Sequence, residues 1–158
     1  MALHVLEREQ LLPIPIDEAW PFFTSPRNLI HITPPSMGLV IHEPLDDTLT
    51  FPGQRFTYTV RPLLGGSAFL GTLIERVEAP ILFVDTQVKG PFKRWWHQHR
   101  FEAADGGTRM LDRLEYELPL GSLGDLAHVL LVKRRIRAIF NQRYRVLEDL
   151  FTDLHRTT

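Results

Sequence analysis

The sequence contains no cysteine, so its 158 residues can form neither a disulfide bond nor a thiolate metal site. This absence suits a reducing compartment, and we expect a cytoplasmic location. No apolar run approaches the roughly 20 residues that span a bilayer. The first ten residues alternate apolar with charged side chains instead of forming an export signal. Length and composition therefore predict one domain, residues 1–158, without stable membrane insertion.

Other absences exclude whole classes of function. The formal net charge is only −1, which argues against nucleic acid as a partner. The sequence has no glycine-rich phosphate loop of the P-loop kind and no Gly-x-Ser-x-Gly turn. It therefore predicts neither nucleotide hydrolysis nor serine hydrolysis.

What the sequence does contain is a clear order of element types. Residues 3–12 alternate as a strand, and two short helical segments follow between Ile16 and Pro34. Six further β-rich runs are separated by Pro, Gly and Asp breaks: residues 39–42, 55–61, 68–78, 81–88, 93–101 and 108–118. After Pro119 the pattern changes to a long helix, which we expect to begin at a capping box formed by Ser122 and Asp125.

The predicted long helix is apolar along one stripe and basic along one flank. The stripe recurs at three- and four-residue steps: Leu123, Leu126, Ala127, Leu130, Ile136, Ile139, Phe140, Leu147, Leu150, Phe151 and Leu154. The basic flank comprises Lys133, Arg134, Arg135, Arg137, Arg143 and Arg145. We interpret this flank as a solvated face, with contact to a protein or a membrane surface as the alternative.

The last two predicted strands separate their side chains by parity, because successive residues of a strand point to opposite faces. The inward set is Trp95, His97, His99 and Phe101 on one strand and Met110, Asp112, Leu114 and Tyr116 on the other. The intervening positions are mostly charged, which indicates a solvated outer face. Phe56 and Tyr58 share an apolar face of an earlier strand in the same way.

Charge selects the register between these last two strands. Pairing Phe101 with Met110 sets opposite charges across from each other, whereas a slip of two residues either way puts Arg100 opposite another arginine. The favoured register places His99 directly across from Asp112. We therefore predict an inward His–Asp pair, which serves as a polar wall of a pocket, as a structural network, or as an acid–base pair.

Three features together resemble a known superfamily. They are the order of the elements, the segment Gly-Pro-Phe-Lys-Arg-Trp-Trp-His-Gln-His-Arg-Phe at 90–101, and Tyr-Glu-Leu-Pro-Leu-Gly at 116–121. Over essentially the whole chain they are similar to the SRPBCC group, the START, Bet v 1 and polyketide cyclase superfamily, and more narrowly to its bacterial cyclase/dehydrase-like ligand-binding branch.

The resemblance implies an α+β helix-grip fold. In this fold a seven-stranded curved antiparallel sheet wraps around a long C-terminal helix, with two short helices after the first strand. The resemblance also implies a hydrophobic cavity between the sheet and the helix.

Parity and resemblance together give the candidate ligand-binding residues. They are Trp95, His97, His99, Phe101, Met110, Asp112, Tyr116, Tyr58, Phe56, Asp85, Gln87 and Phe140, with His99 and Asp112 as the catalytic candidates. Asp85 and Gln87 belong to the family-like segment 83–87, but parity does not settle which way they face. His97 and His99 have a spacing that metal sites use, and Asp112 is the one further candidate ligand. We predict no metal and no cofactor.

We therefore expect the chain to bind or carry a small, largely hydrophobic ligand that is lipid-, polyketide- or isoprenoid-like. Function does not follow from fold, so two alternatives stay open. One is a cyclase or dehydratase in which His99, oriented by Asp112, exchanges a proton with a carbonyl substrate. The other is a protein-interaction module that uses the basic helix or the outward Trp96.

Overall fold

Seven strands form one antiparallel sheet in the order β1-β7-β6-β5-β4-β3-β2, as expected. The computed structural model describes residues 2–43, 46–61 and 66–156, apart from the side chains of residues 128, 129 and 154–156. The strands are β1 His4–Leu12, β2 Val40–Ile41, β3 Arg55–Val60, β4 Ala68–Glu78, β5 Leu82–Lys89, β6 Arg94–Ala104 and β7 Gly107–Glu117. The chain's first and last strands are neighbours, so a long connection carries the chain from β1 to the far edge of the sheet.

That connection contains the two short helices that the sequence predicts. They are α1 Ile16–Phe23 and α2 Leu29–Ile32, with a 3₁₀ turn on each side of α2 at Pro26–Asn28 and Pro35–Met37. The C-terminal helix comprises α3 Gly121–Ala127, a π-helical turn His128–Val132 and α4 Lys133–Arg156. Within the described ranges, no helix has both the length and the apolar character needed to cross a bilayer.

The register of the β6–β7 hairpin is the one that charge predicts. Phe101 pairs with Met110 and His99 with Asp112. The same register places Arg94 opposite Glu117 and Glu102 opposite Arg109. Cross-strand ion pairs cover the outer face, for example Arg109–Glu102 and Arg94–Glu115.

The sheet curves around the C-terminal helix, and two register shifts interrupt the β4–β5 pairing, between Gly71 and Thr72 and between Ile74 and Arg76. Such irregularities bend a strand and increase its twist. Two buried clusters fill the space between the sheet and the helices. The larger one contains Leu12, Ile14, Ala19, Trp20, Phe23, Ile32, Phe83, Phe101, Met110, Leu147 and Phe151. The smaller one contains Leu114, Tyr116, Val132, Ile136 and Phe140.

Two expectations for the C-terminal helix are wrong in detail. The helix begins at Gly121, so Ser122 lies inside its first turn and cannot be the N-cap. The first part of the apolar stripe is also exposed, with Leu123 at 69% and Leu130 at 63% of full exposure. Periodicity predicts which side chains share a face, but it does not predict whether other elements cover that face. The side chain of Leu154 lies outside the described residues.

Candidate functional site

An apolar compartment of about 430 Å³ lies between the sheet and the first half of the C-terminal helix. We call it the outer compartment. Its walls are Met37, Tyr58, Val60, Ala68, Leu70, Gln87, Pro91, Phe92, Trp95, Val132, Ile136, Ile139 and Phe140, and at its mouth lie Leu118, Pro119, Leu120, Leu123, Gly124 and Ala127. Gln87 is the single amide among these side chains, so the compartment suits an apolar occupant.

The mouth is built by a close approach between the end of β7 and the start of α3. A Cβ on Gly124 would lie 2.1 Å from the carbonyl oxygen of Pro119, so glycine is needed at this contact. Leu120, which precedes the helix, has a φ of 74°, a region that side chains other than glycine seldom adopt. Leu120 is also 78% exposed. The mouth therefore presents apolar side chains to the surroundings.

A second compartment of about 220 Å³ adjoins the first, and we call it the inner compartment. The two share six lining residues: Met37, Tyr58, Val60, Trp95, Ile139 and Phe140. The inner compartment is also lined by charged and imidazole side chains, namely Asp85, His97, His99 and Arg143. The interior thus has one compartment with apolar walls and a second, mostly apolar compartment that also carries these four side chains; we call the part of the second compartment beside them the polar end.

Three adjacent strands bring the polar end together. His97 and His99 share the inner face of β6 because they are two residues apart. Asp85 of β5 is the strand partner of His97 on one side, and Asp112 of β7 is the partner of His99 on the other. We call these four residues the His–Asp cluster. Its histidines and Asp112 are buried and Asp85 is partly buried.

The cluster is closely connected. His99 Nε2 lies 2.8 Å from Asp85 Oδ2, and His97 Nε2 lies 3.2 Å from Asp112 Oδ1; both are hydrogen bonds. His99 Nδ1 is 3.0 Å from Asp112 Oδ1, close enough for an ion pair although its direction does not suit a hydrogen bond. His97 Nδ1 is 4.0 Å from Asp85 Oδ2. Both carboxylates therefore contact both imidazoles.

Arg143 of α4 joins the cluster from the helix side. Its Nη1 lies 3.8 Å from Asp112 Oδ2, and its Nε has no hydrogen-bond partner among the described residues. The prediction that the whole basic flank is solvated is wrong for this arginine, whose side chain retains only 13% of its exposure. Burying the Asp112 carboxylate without a charged partner would cost free energy. Its pairing with Arg143 therefore explains why both side chains are stable away from water.

The cluster controls the protonation of its members. Burial alone would raise the pKa of both carboxyls, but Arg143 and the two histidines lower the pKa of Asp112 well below its usual value, and mainly the hydrogen bond from His99 lowers that of Asp85. Burial and the neighbouring His99 lower the pKa of His97. Burial by itself would lower the pKa of His99, but the adjacent Asp112 and Asp85 carboxylates have the larger combined effect, so the pKa of His99 is raised. The cluster thus favours ionised carboxylates and a protonated His99.

Tyr58 projects into both compartments and adds a hydroxyl to their junction. Its phenol oxygen lies 3.0 Å from Oγ1 of Thr72. Burial, together with the charge of Asp85, raises the pKa of Tyr58 to about 12. The hydroxyl therefore stays neutral and able to donate a hydrogen bond at physiological pH.

The structure divides the sequence-predicted site residues into two groups. Those that line the two compartments are Phe56, Tyr58, Asp85, Gln87, Trp95, His97, His99 and Phe140. Asp112 lies behind the histidines. Phe101 and Met110 are inward but belong to the packed core, and Tyr116 lies in the smaller cluster, beside a separate groove on β1. Parity predicts the inner face of a strand, but whether that face meets a cavity or a helix depends on the covering elements.

Sequence reasoning missed Arg143 as a site residue, although a signal was present. Arg143 lies three residues after Phe140 and four before Leu147, so it occupies the buried stripe rather than the flank. Sequence reasoning left the orientation of Asp85 open, and the structure shows this candidate facing inward. That orientation follows from the β5–β6 register, which the charges of those strands do not determine.

Comparison with known proteins places this architecture in a family. A family described as polyketide cyclase/dehydrase and lipid transport matches residues 12–143. The chain belongs to this family. The match includes every member of the His–Asp cluster and Arg143. No curated protein matches the chain in sequence.

Solved structures share the fold at low sequence identity. Protein Ms6760 from Mycobacterium smegmatis has a TM-score of 0.69 at 18% identity, covering 98% of this chain and 99% of its own. The protein TTHA0849 from Thermus thermophilus has a TM-score of 0.68 at 18% identity, with coverages of 96% and 99%. The Bet v 1-like Ara h 8.0201 has a TM-score of 0.60 at 17% identity, with coverages of 94% and 99%. These likenesses agree with the helix-grip fold.

Proposed function

We propose that the protein binds or carries an elongated, largely apolar molecule that has one polar end. The observation that carries this proposal is the arrangement of the interior: an apolar outer compartment joined to a mostly apolar inner compartment whose wall includes charged and imidazole groups. A family whose description includes lipid transport supports a hydrophobic ligand in general. Lipid-, polyketide- and isoprenoid-like molecules all have the required shape.

The physical reasoning separates affinity from orientation. Burial of an apolar ligand surface contributes about 25 cal/mol per Å², so the outer compartment supplies most of the binding free energy. A buried polar group without a partner is costly, whereas the His–Asp cluster and the Tyr58 hydroxyl offer donors and acceptors. A ligand is therefore held with its polar group inward and its apolar body toward the mouth.

Organic extraction of the purified protein, followed by mass spectrometry, tests this function. We expect a co-purifying small molecule near one equivalent in the wild type and a clear reduction in His99→Ala and Asp112→Ala. His42→Ala is the matched control, because His42 is an exposed histidine bonded to Thr59. No extractable molecule, combined with no thermal shift across a panel of lipids and polyketides, would favour an interaction module instead.

One observation favours a second candidate, an enzyme of the cyclase or dehydratase type. His99 lines the inner compartment and contacts carboxylates on both of its nitrogens, an arrangement that can orient an imidazole for proton exchange with a carbonyl compound. In that case turnover of a carbonyl substrate falls in His99→Ala while binding of the product persists. Binding lost in parallel with turnover favours the carrier.

The mouth is the proposed point of entry, and its chemistry suits an anionic lipid surface. Leu123 of the mouth is exposed, and two turns further along the helix, beside the mouth, exposed Leu130 lies within one turn of the exposed cations Lys133 and Arg134. Leucines insert into the apolar boundary of a bilayer while basic side chains contact lipid phosphates. Flotation with phosphatidylglycerol vesicles should retain the wild type, and phosphatidylcholine vesicles should not.

A double substitution tests that contact. Leu123→Ser with Leu130→Ser should release the protein from the anionic vesicles. The control is Leu3→Ser with Leu11→Ser, which removes two other exposed leucines, one just before β1 and one within it. This variant should still bind the vesicles. Equal retention of both variants would exclude the mouth as the contact surface.

A further inference from the structure

Three side chains of the His–Asp cluster lie close together and provide the donor atoms typical of a metal site. One oxygen of Asp85 and one nitrogen each of His97 and His99 lie within 4.8 Å of one another. Two imidazoles and a carboxylate are ligands that zinc and the neighbouring divalent transition metals accept. We propose that Asp85, His97 and His99 bind a divalent transition-metal ion at the polar end of the cavity.

The sequence offers two of these ligands but not the third. Asp112 is the partner that the hairpin register suggests, yet its Oδ1 lies against one nitrogen of each imidazole, at 3.2 Å from His97 Nε2 and 3.0 Å from His99 Nδ1. The opposite nitrogens, His97 Nδ1 and His99 Nε2, are the ones nearest Asp85. Asp85 on the neighbouring strand therefore completes the set.

Asp112 then has the role of a supporting carboxylate. Histidines that ligate a metal commonly direct their second nitrogen to a carboxylate, which fixes the tautomer and the ring orientation. Here a single carboxylate contacts both rings, and Arg143 lies 3.8 Å from its other oxygen. Asp112 orients His97 through a hydrogen bond and makes an ion-pair contact with His99, and the other nitrogen of each ring lies on the Asp85 side.

Metal binding requires the ligand atoms to draw closer, because they lie as far as 4.8 Å from one another. Ligand atoms that share an ion at about 2.1 Å lie roughly 3.0–3.4 Å apart in octahedral or tetrahedral geometry. His99 Nε2 lies 2.8 Å and His97 Nδ1 lies 4.0 Å from Asp85 Oδ2, so one distance is shorter and the other longer than this range. Asp85 is partly exposed, which leaves its side chain freer to move than the buried histidines.

Three protein ligands leave at least one coordination position for another group. Asp85 and both histidines line the inner compartment, so that position is accessible to a small molecule in the cavity. An oxygen donor, such as water, a carboxylate or a carbonyl, is the chemical class that would occupy it. The site stands on side-chain geometry alone and does not depend on the proposed apolar ligand.

Titration of the untagged, chelator-treated protein with Co²⁺ tests the site. We expect one equivalent to give a visible absorption band that Zn²⁺ removes by competition. Asp85→Asn keeps the size of the side chain and should lose the band. Asp112→Asn should weaken binding roughly 10- to 100-fold, the usual effect of removing a supporting carboxylate. His31→Ala and His42→Ala, both exposed, should bind as the wild type does.

Thermal unfolding with and without Zn²⁺ distinguishes a variant that has lost the metal site from one that has failed to fold. Zn²⁺ should raise the midpoint of the wild type and of both histidine controls but leave that of Asp85→Asn unchanged. Binding of Co²⁺ by Asp85→Asn with wild-type affinity would overturn the proposal, as would the absence of a one-equivalent band in the wild type. No organic ligand is used, so failure here leaves the proposed carrier function standing.

Discussion

His99 faces Asp112 across the β6–β7 pair, with Nδ1 of the imidazole 3.0 Å from Oδ1 of the carboxylate. The same oxygen accepts a hydrogen bond from His97, and Arg143 approaches the other oxygen from α4. Asp112 therefore links the sheet to the C-terminal helix at a buried position.

Asp112→Asn should destabilise the fold by about 3–5 kcal/mol, the usual cost of removing one partner from a buried charge network. The substitution leaves Arg143 and the two histidines without their common counter-charge. Urea unfolding at pH 7 measures the free energy of unfolding. Asp149→Asn, at an exposed position of α4, should change it by less than about 0.5 kcal/mol. Equal effects of the two substitutions would contradict a special role for the buried carboxylate.

Phe101→Ala should lower the free energy of unfolding by about 3–5 kcal/mol without removing the ligand. Phe101 is 1% exposed, packs against Trp20 and Phe23, and itself lines neither compartment. Leu11→Ala is the control, because Leu11 is exposed on β1. Denaturation and extraction of the same preparations check both quantities. Loss of ligand from a folded Phe101→Ala would place this residue in the cavity.

Ala68→Trp should reduce ligand content while the protein stays folded. Ala68 is the first residue of β4 and lines the outer compartment, so a large indole ring there occupies space that the apolar body of a ligand needs. Ala103→Trp puts the same ring on the exposed end of β6. We expect extraction to recover a full equivalent from the control and much less from Ala68→Trp. Similar recovery from both would mean that the ligand lies elsewhere.

Stability above pH 10 should depend on Tyr58. Its pKa is about 12 in the folded protein and about 10 in the unfolded chain. The folded state therefore binds more protons between these values, and the stabilising contribution, complete below pH 10, is lost as the pH rises toward 12. Tyr58→Phe cannot ionise, so its unfolding free energy should fall less between pH 9 and 11.

Tyr144→Phe provides the comparison for this pH series, since Tyr144 is exposed on α4. At neutral pH the loss of the Tyr58–Thr72 hydrogen bond should cost Tyr58→Phe about 1 kcal/mol. Parallel pH dependences for the wild type and Tyr58→Phe would contradict the raised pKa.

The β6–β7 register could be predicted because the information is local. Alternation with a period of two assigns each side chain to a face, and repulsion between Arg100 and another arginine excludes the shifted pairings. These two facts alone place His99 opposite Asp112. The seven-stranded sheet and the helix-grip architecture followed from the resemblance, and the family and its solved relatives confirm them.

The depth of individual residues could not be predicted in the same way. Trp95 and Phe101 share one face of β6, yet Trp95 meets the cavity whereas Phe101 meets α1 and α4. The difference depends on where the helices cross the sheet, which alternation does not encode. Leu123 shows the converse case, since it belongs to the apolar stripe by periodicity and yet is 69% exposed.

Trp95 and His97 are two residues apart on β6, so the strand itself sets the distance between the apolar wall and the polar end. Hydrogen-bonded neighbours on both sides prevent this distance from stretching. For an occupant anchored at the His–Asp cluster, a short body leaves apolar space unfilled and a long one emerges among the leucines of the mouth. Under the proposed function, the cavity would therefore select ligands by the length of their apolar body, independently of the chemistry of the anchored group.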